Sequence, residues 1–240
     1  MEYQTFCKPG TDHEFYEYYK NFGKKFVNSL GLPVEKLRFK DHEKLAHYAK
    51  EACDIEYLFP FGWGEINGTH NRTNFDLSRH QEYSNKKMCY LDPYTQEKFI
   101  PYIIESTYGL DRIILALLCE SLHIKEEKNG KKRVLLSLDK NISPMKVSVL
   151  PLEKKNHSEM ALNLYKDLRK EIMAYYDDSG NIGKRYKNSD AIGTPYSICV
   201  DNDSILNGFV TIRDRDTREQ IKVSTGQVKK ILKRELSKKY

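Results

Sequence analysis

The chain has 240 residues, of which 39% are hydrophobic and 12% aromatic, so it can build one large or two ordinary globular cores. Its longest apolar runs, such as residues 113–119, fall short of the roughly 20 residues that span a bilayer. The first residues show no basic and apolar secretory signal, so we expect no membrane segment and a cytoplasmic protein.

The net charge of +6 is carried by the rear of the chain. Residues 144–240 hold 19 basic and 13 acidic side chains, whereas residues 1–143 hold 21 of each. A basic rear part fits contact with a polyanion, although lysines placed on solvated faces explain the charge equally well. Five widely scattered cysteines without a C-x-x-C pair predict neither a disulfide framework nor a zinc site built from protein ligands.

The front region, residues 1–141, is predicted to be α+β with mainly antiparallel strands. Aromatic and apolar residues at helical spacing predict a helix over residues 14–30. Shorter apolar segments bounded by turn residues then predict strands at residues 37–39, 52–59 and 62–66 and a hairpin around residues 91–98. Residues 101–118 follow as a strand that runs into Gly109 and then a helix.

A change of pattern near residue 142 predicts a domain boundary. The following region, residues 142–240, alternates strands and helices, which favours a compact α/β domain with a mixed five-stranded sheet. We expect strands at residues 146–150, 174–177, 196–200, 209–213 and 220–223, and helices at residues 157–173, 184–192 and 228–236.

The turn from Gly109 into its helix is the first candidate for chemistry. A helix N-terminus offers free backbone N–H groups to phosphates, and Arg112 adds a planar cation in the first turn. By itself a G-x-D-R turn is a weak signal, because Asp and Arg at such positions commonly cap the helix and pair with each other.

Two longer segments give this turn a context. FGWGEINGTHNRTNFDLSRHQEYS (residues 61–84) and PYIIESTYGLDRIILALL (residues 101–118) resemble the glycyl-tRNA synthetases, which are class II aminoacyl-tRNA synthetases with a GWGE strand, an NRTDYDL helix start and an EPSxGLDR motif 3. VSVLPLEKKNHSEMALNLYKDLRKE, DDSGNIGKRYKNSDAIGTPYSICVD and GFVTIRDRDTREQ resemble their anticodon-binding domain. The resemblance implies that residues 1–141 are the C-terminal part of the class II catalytic domain, with part of its antiparallel sheet, and that residues 142–240 are the anticodon-binding domain.

The resemblance also implies an activity, which is the ATP-dependent formation of glycyl-adenylate and transfer of glycine to tRNA(Gly). ATP, accompanied by Mg²⁺, would be bound by Glu65, Ile66, Gly109, Leu110, Asp111 and Arg112, with Arg112 and Glu65 in catalytic roles. Such chemistry needs no protein nucleophile, because it relies on positioning and on neutralising phosphate charge.

Glycine offers only an ammonium and a carboxylate for recognition, so its pocket must exclude larger amino acids by filling the space of a methyl group. The positions that the resemblance implies for glycine binding are Glu2, Glu105, Ser106, Thr107, Tyr108 and Gly109. Ser106 replaces a frequent Pro and Thr107 a Ser, so the added methyl of Thr107 predicts a tighter pocket.

In the rear domain, basic residues near turns are the candidates for tRNA contact. They are Lys184, Arg185, Arg213, Arg215 and Arg218. Lys184 and Arg185 follow a glycine turn and are expected to face solvent or the tRNA backbone. Neighbouring Asp214 and Asp216 offer the three later arginines an alternative in mutual ion pairs.

The resemblance begins at the tail of motif 2, so we expect motif 1 and most of motif 2 to be missing and the chain alone to be inactive. A homodimer is expected for the full-length enzyme. The alternative is a non-catalytic tRNA-binding or accessory module derived from the synthetase. Retention of Glu65, Glu105 and Arg112 favours the ligase, because a pure binding module needs no ligands for ATP and glycine.

Overall fold

The computed structural model describes residues 1–126, 130 and 132–237, and these form two compact units. The first unit is Met1–Cys119 and the second is Glu120–Tyr240. The boundary expected at residue 142 stays a prediction about domain organisation. The two units are described separately below.

The front unit contains an antiparallel sheet, as the sequence predicts, and this sheet has five strands, of which β1 (Glu2–Cys7) was not predicted. Its strands lie in the order β1-β7-β4-β3-β2, and a two-stranded ribbon of β5 and β6 stands apart. The elements are β1 (Glu2–Cys7), α1 (Asp12–Ser29), β2 (Leu37–Asp41), β3 (Glu51–Phe59), β4 (Gly62–Asn71), α2 (Phe75–Ser84), β5 (Tyr90–Leu91), β6 (Lys98–Phe99), β7 (Tyr102–Tyr108) and α3 (Leu110–Ser121).

Helix α1 packs on one face of this sheet and buries its core. Cys7, Tyr16, Cys53 and Ile104 form a buried cluster at the contact. Gly23 lets the helix approach closely, since a Cβ there would stand 3.0 Å from both Asn67 Oδ1 and Ile55 Cδ1. One face of the sheet is therefore covered by α1, and the opposite face is not in contact with this helix.

Asp12, in the first turn of α1, ties the helix to the sheet. It is 1% exposed, and its carboxylate accepts hydrogen bonds from Lys50 Nζ at 2.7 Å and Asn71 Nδ2 at 2.7 Å. Burial alone would raise the pKa of Asp12, but these hydrogen bonds and one from the backbone N–H of Gly10 outweigh it and lower the pKa to about 2. The carboxylate is therefore held in its ionised form.

The rear unit has the predicted mixed five-stranded sheet, in the order β11-β10-β12-β13-β14. β10 runs parallel to β11 and β12, and the other neighbours are antiparallel. The elements are β8 (Leu122–Glu126), β9 (Lys132–Leu136), β10 (Val147–Pro151), α4 (Lys154–Leu168), β11 (Ala174–Tyr176), α5 (Ile182–Ala191), β12 (Tyr196–Val200), α6 (Asn202–Asn207), β13 (Phe209–Asp214), β14 (Gln220–Ser224) and α7 (Val228–Ser237).

Four elements of the rear unit differ clearly from the sequence prediction. The β8–β9 hairpin and the short helix α6 were not predicted, and α4 begins and ends earlier than the expected 157–173. Helix α6 begins at a capping box in which Asp201 and Ser204 exchange side-chain and backbone hydrogen bonds. Every residue of β10 and β12 is buried, which explains their apolar runs without alternation.

Candidate functional site

Strand register brings several predicted side chains together on the face of the front sheet opposite α1. Glu2, Thr107, Gly68 and Asp54 form one row across β1, β7, β4 and β3, while Gln4, Glu105, His70 and Ala52 form the next. Positions two apart on a strand share a face, so both rows lie on one side of the sheet. We call these two rows the polar face.

Two carboxylates of the polar face are joined by one amide. Gln4 Nε2 donates to Glu2 Oε1 at 3.1 Å and to Glu105 Oε2 at 3.2 Å. The side chain of Glu105 is only 12% exposed, so much of its charge has left water. Because the two carboxylates share one neutral donor, their oxygens can accept further hydrogen bonds. An ammonium group requires acceptors of this kind.

Arg72 holds Glu105 from the other side. Its Nη1 lies 3.3 Å from Glu105 Oε2, while Nε and Nη2 donate to Asp76 at 2.6 and 2.9 Å. The guanidinium also stacks on Tyr48 with its carbon 4.2 Å from the ring centroid. Hydrogen bonds from Arg72 lower the pKa of Asp76. The arginine is therefore fixed before any ligand arrives, and it orients Glu105.

The structure does not bring Ser106 and Tyr108 to the polar face. Ser106 is fully buried on the α1 side, where its hydroxyl lies 3.2 Å from Asn67 Nδ2 and 3.1 Å from Thr69 Oγ1. Tyr108 is also buried and packs edge-on against Phe26. Alternation along β7 separates these side chains from Glu105 and Thr107, so the predicted glycine set divides between two faces.

The predicted ATP residues meet where β4 faces the start of α3. Arg112 Nη1 donates to the carbonyl oxygen of Glu65 at 3.0 Å and lies 3.4 Å from Glu65 Oε2. Both side chains are at least half exposed, which leaves them open to a ligand. Leu110 and Asp111 are exposed in the first turn of α3. This end of the unit therefore offers a cation, a carboxylate and helical N–H groups.

Ile66 contributes backbone only. Its side chain is buried, and its carbonyl oxygen accepts a hydrogen bond from the N–H of Gly109 at 3.0 Å. A register shift against β3 occurs at this point, between Ile55 and Glu56. The shift lets Glu65 stay exposed while Ile66 enters the interior.

Gln4 and His70 are two of the polar-face residues that were not predicted. His70 Nδ1 is buried and makes no hydrogen bond within the described part of the chain, and Glu105 Oε1 lies 3.8 Å from it. Burial lowers the pKa of His70. The sequence signal for Gln4 was its i, i+2 spacing from Glu2 on a strand, whereas His70 is identified only by its register opposite Glu105.

Three of the five arginine and lysine candidates for tRNA contact lie in the interior of the rear unit. Arg185 is 2% exposed and donates to the carbonyl oxygens of residues 151, 178, 179 and 180. Arg213 donates to Asp190 at 3.0 Å, and Arg215 donates to the carbonyl oxygens of residues 138 and 193, both at 2.8 Å. These contacts indicate structural roles.

Lys184 and Arg218 are exposed. Both remain candidates for contact with a polyanion. No helix in the described ranges combines the length and apolarity needed to cross a bilayer.

Comparisons with known proteins identify relatives of this chain. Residues 146–235 match the family described as "Anticodon binding domain". The chain is 48% identical over 238 residues to a protein named glycine--tRNA ligase from Clostridium kluyveri, which covers 98% of this chain and 51% of the relative. It is 49% identical over 238 residues to the glycine--tRNA ligase of Caldanaerobacter subterraneus, with the same coverage of both chains.

A third relative, the glycine--tRNA ligase of Geobacillus kaustophilus, is 43% identical over 239 residues, which are 99% of this chain and 52% of the relative. The chain thus spans about half the length of the curated relatives it matches, and it corresponds to their C-terminal part. Over the part that it spans, the chain belongs to the glycyl-tRNA synthetase family.

Proposed function

We propose that the chain carries the glycine- and ATP-facing part of a glycine–tRNA ligase together with its tRNA-binding domain. The observation that supports this best is the pair Glu2 and Glu105, bridged by Gln4 beside Thr107 on one face of the front sheet. These carboxylates suit the ammonium of an amino acid that has no side chain to bind. A homodimer and a cytoplasmic location, which the family implies for the full-length enzyme, belong to the same proposal.

In the proposed reaction, the carboxylate of glycine attacks the α-phosphate of ATP and pyrophosphate leaves. The terminal ribose hydroxyl of tRNA(Gly) then takes the glycyl group, and AMP is released. Negative charge spreads over the phosphate oxygens in the first step, so a fixed cation lowers the barrier. Arg112, half exposed beside Glu65, supplies that cation, and the N-terminus of α3 adds backbone donors.

Magnesium enters this proposal as the companion of ATP. A half-exposed carboxylate such as Glu65 is the kind of oxygen ligand that Mg²⁺ takes, usually together with water and substrate phosphates. Glu65 and Arg112 would then hold the nucleotide from both sides.

Selection of glycine would follow from the floor of the polar face. Gly68 and Thr107 are register partners, and a Cβ on Gly68 would stand 3.2 Å from His70 Cε1 and 3.3 Å from Asp54 Oδ1. His70 and Asp54 therefore already fill the space next to Gly68, and the methyl of Thr107 narrows the floor further. Steric exclusion separates glycine from alanine better than a lost contact does, because overlap is repulsive.

We also propose that this chain alone does not form glycyl-adenylate at the rate of a whole ligase. Among the described residues, one arginine, Arg112, lies beside Glu65. Loss of a single donor that stabilises transition-state charge typically costs about 3 kcal/mol. A site that lacks such a donor is therefore expected to react much more slowly. The test is glycine-dependent exchange of pyrophosphate into ATP by the purified chain, compared with a full-length relative.

The same preparation is tested for binding of tRNA(Gly) and of an unrelated tRNA. We expect tRNA(Gly) to bind and exchange to be at least 100-fold slower than in the relative. Exchange at the relative's rate would contradict the proposed inactivity. If tRNA binds but neither ATP nor glycine analogues do, the accessory-module alternative is correct and the ligase assignment fails.

A further inference from the structure

A second group of side chains lies at the β3 and β2 end of the polar face, away from Arg112. His42 Nε2 is 2.9 Å from Asp54 Oδ2, and the rings of His42 and His70 meet edge-on with centroids 5.8 Å apart. One donor atom from each of these three residues lies within 4.8 Å of the others. Asp54 and His70 also border the floor of the polar face, but no step of the proposed ligase reaction uses the three side chains as a group.

Small residues in the sheet are what let the three side chains converge. The N–H of His42 donates to the carbonyl oxygen of Ala52, and Ala52 is the register partner of His70. Both imidazoles therefore flank a methyl group. Asp54 pairs with Gly68 in the neighbouring row, so no side chain stands between the carboxylate and His70.

The group is accessible but only partly solvated. The side chains of His42, Asp54 and His70 are 33%, 14% and 20% exposed. A cavity of about 320 Å³ opens beside the two histidines and is lined by His42, Ala52, His70 and residues 44–46, 48 and 49. His70 Nδ1 is buried and makes no hydrogen bond within the described ranges. The cavity gives a metal ion a route in, and this nitrogen of His70, which lies 3.8 Å from Glu105 Oε1, becomes a ligand once the ring rotates.

We propose that His42, Asp54 and His70 bind a divalent transition-metal ion of the zinc class. Two imidazoles and one carboxylate are a ligand set that zinc takes in proteins, with water in the remaining position. Donor atoms about 2.0 to 2.2 Å from zinc stand roughly 3.3 Å from one another. His42 Nε2 and Asp54 Oδ2, at 2.9 Å, are already slightly closer than this, so rotation of the His70 ring is the main movement that binding requires. On binding, the metal ion takes the place of the proton in the contact between His42 Nε2 and Asp54 Oδ2.

This inference does not rest on the proposed ligase function, and it departs from the expectation that protein ligands hold no zinc. That expectation followed from the cysteines, none of which takes part. The three ligands come from the end of β2, from β3 and from β4, at spacings that match no local zinc motif. Only strand register assembles them.

The experiment is titration of the metal-free chain with Zn²⁺, monitored by competition with a chromogenic chelator. We expect one equivalent to bind, and His42→Asn, Asp54→Asn and His70→Asn each to weaken binding at least tenfold, since loss even of indirect support for a zinc ligand typically costs 10- to 100-fold. His13→Asn is the matched control. His13 Nδ1 also pairs with a carboxylate, Glu51 at 2.6 Å, but it is outside the group.

Two further measurements keep the result independent of folding defects. Far-UV circular dichroism checks each variant, and Zn²⁺ is expected to raise the melting temperature of the wild type and of His13→Asn but not of His42→Asn. Co²⁺ should give ligand-field absorption without a thiolate charge-transfer band, and Cys89→Ser, which removes an exposed thiol, should leave affinity within twofold. Equal affinity of the wild type and a folded double variant His42→Asn/His70→Asn would overturn the proposal.

Discussion

Arg72 Nη1 lies 3.3 Å from Oε2 of Glu105, while the other edge of the same guanidinium donates to Asp76. A lysine keeps the charge but cannot hold both carboxylates in this geometry. We expect Arg72→Lys to weaken binding of a non-hydrolysable glycyl-adenylate analogue about tenfold, or roughly 1.4 kcal/mol, measured by isothermal titration calorimetry.

Arg79→Lys is the control for that prediction. Arg79 lies in α2, the helix that begins just after Arg72, and it pairs with Glu82 on an exposed surface. Its replacement should leave affinity for the analogue within twofold. If Arg72→Lys binds the analogue as well as the wild type does, Arg72 does not orient Glu105 for the ligand.

Ser106 and Thr107 are neighbours in sequence on opposite faces of the sheet, and their alanine variants should behave in opposite ways. Ser106→Ala removes the hydroxyl partner of buried Asn67 and Thr69, so we expect a loss of about 1 to 2 kcal/mol in the free energy of unfolding. Its affinity for the analogue should stay within twofold.

Thr107→Ala should leave the free energy of unfolding within about 1 kcal/mol, because the side chain is only half buried. It should instead reduce discrimination between glycyl and alanyl analogues, since it removes the methyl that narrows the floor. Urea unfolding and calorimetry measure the two quantities in both variants. The reverse pattern would mean that Ser106, and not Thr107, faces the ligand.

Asp12 predicts acid-sensitive stability of the front unit. Its pKa is about 2 in the folded chain against a model-compound value of 3.8, so the ionised carboxylate contributes stability that is complete above about pH 4 and is lost as pH falls towards 2. The shift corresponds to about 2 kcal/mol. Asp12→Asn should therefore be less stable than the wild type by about this amount at pH 7, and the difference should shrink between pH 4 and pH 2.

Glu14→Gln, which changes an exposed carboxylate in the same first turn of α1, is the control and should have little effect. Denaturant unfolding at a series of pH values gives both curves. A difference between Asp12→Asn and the wild type that does not vary with pH would contradict the role assigned to the ionised carboxylate.

Arg213 and Arg218 lie five residues apart in one hairpin, and their replacement should affect the stability of the rear unit to different extents. Arg213 is buried against Asp190, whose carboxylate also pairs with buried Arg133. Arg213→Gln removes a buried hydrogen bond between charged groups, although Asp190 keeps Arg133 as a partner, so we expect a loss of about 1.5 to 3 kcal/mol in stability. Arg218→Gln should leave stability within about 0.5 kcal/mol.

If Arg218 contacts the tRNA backbone, its replacement also lowers the slope of log affinity against log salt by about 0.7 to 1. Binding of tRNA(Gly) at several salt concentrations measures this slope. An unchanged slope would exclude Arg218 from the interface, and an unchanged stability of Arg213→Gln would contradict its structural role.

Local patterns in the sequence predicted the order of most strands and helices, because apolar periodicity is preserved where an element has one buried face. They failed for α6, which is only six residues long, although its capping pair Asp201 and Ser204 was a readable signal. They also failed for the β8–β9 hairpin. Strand β8 is exposed at every residue, so its sequence carries no alternation that burial would impose.

The candidate site was predictable residue by residue but not as a surface. Family resemblance identified Glu2, Glu105, Thr107, Glu65 and Arg112. It did not show that Ser106 points to the core, which follows from the alternation of side chains along β7. Register decides the rest. Gln4 lies opposite Glu105 because β1 pairs with β7, which is distant in sequence, and Ala52 lies between His42 and His70 because of the register of the consecutive strands β3 and β4.

The central claim is that the polar face binds glycine through Glu105 and excludes a methyl group. Its most direct test is the ratio of affinities of the chain for glycyl- and alanyl-adenylate analogues, measured for the wild type and for Glu105→Gln, with Glu82→Gln as the exposed control. We predict that the wild type and Glu82→Gln bind the glycyl analogue at least tenfold more tightly than the alanyl analogue, and that Glu105→Gln loses at least tenfold in glycyl affinity. Equal affinity for both analogues, or full glycyl affinity in Glu105→Gln, would contradict the claim.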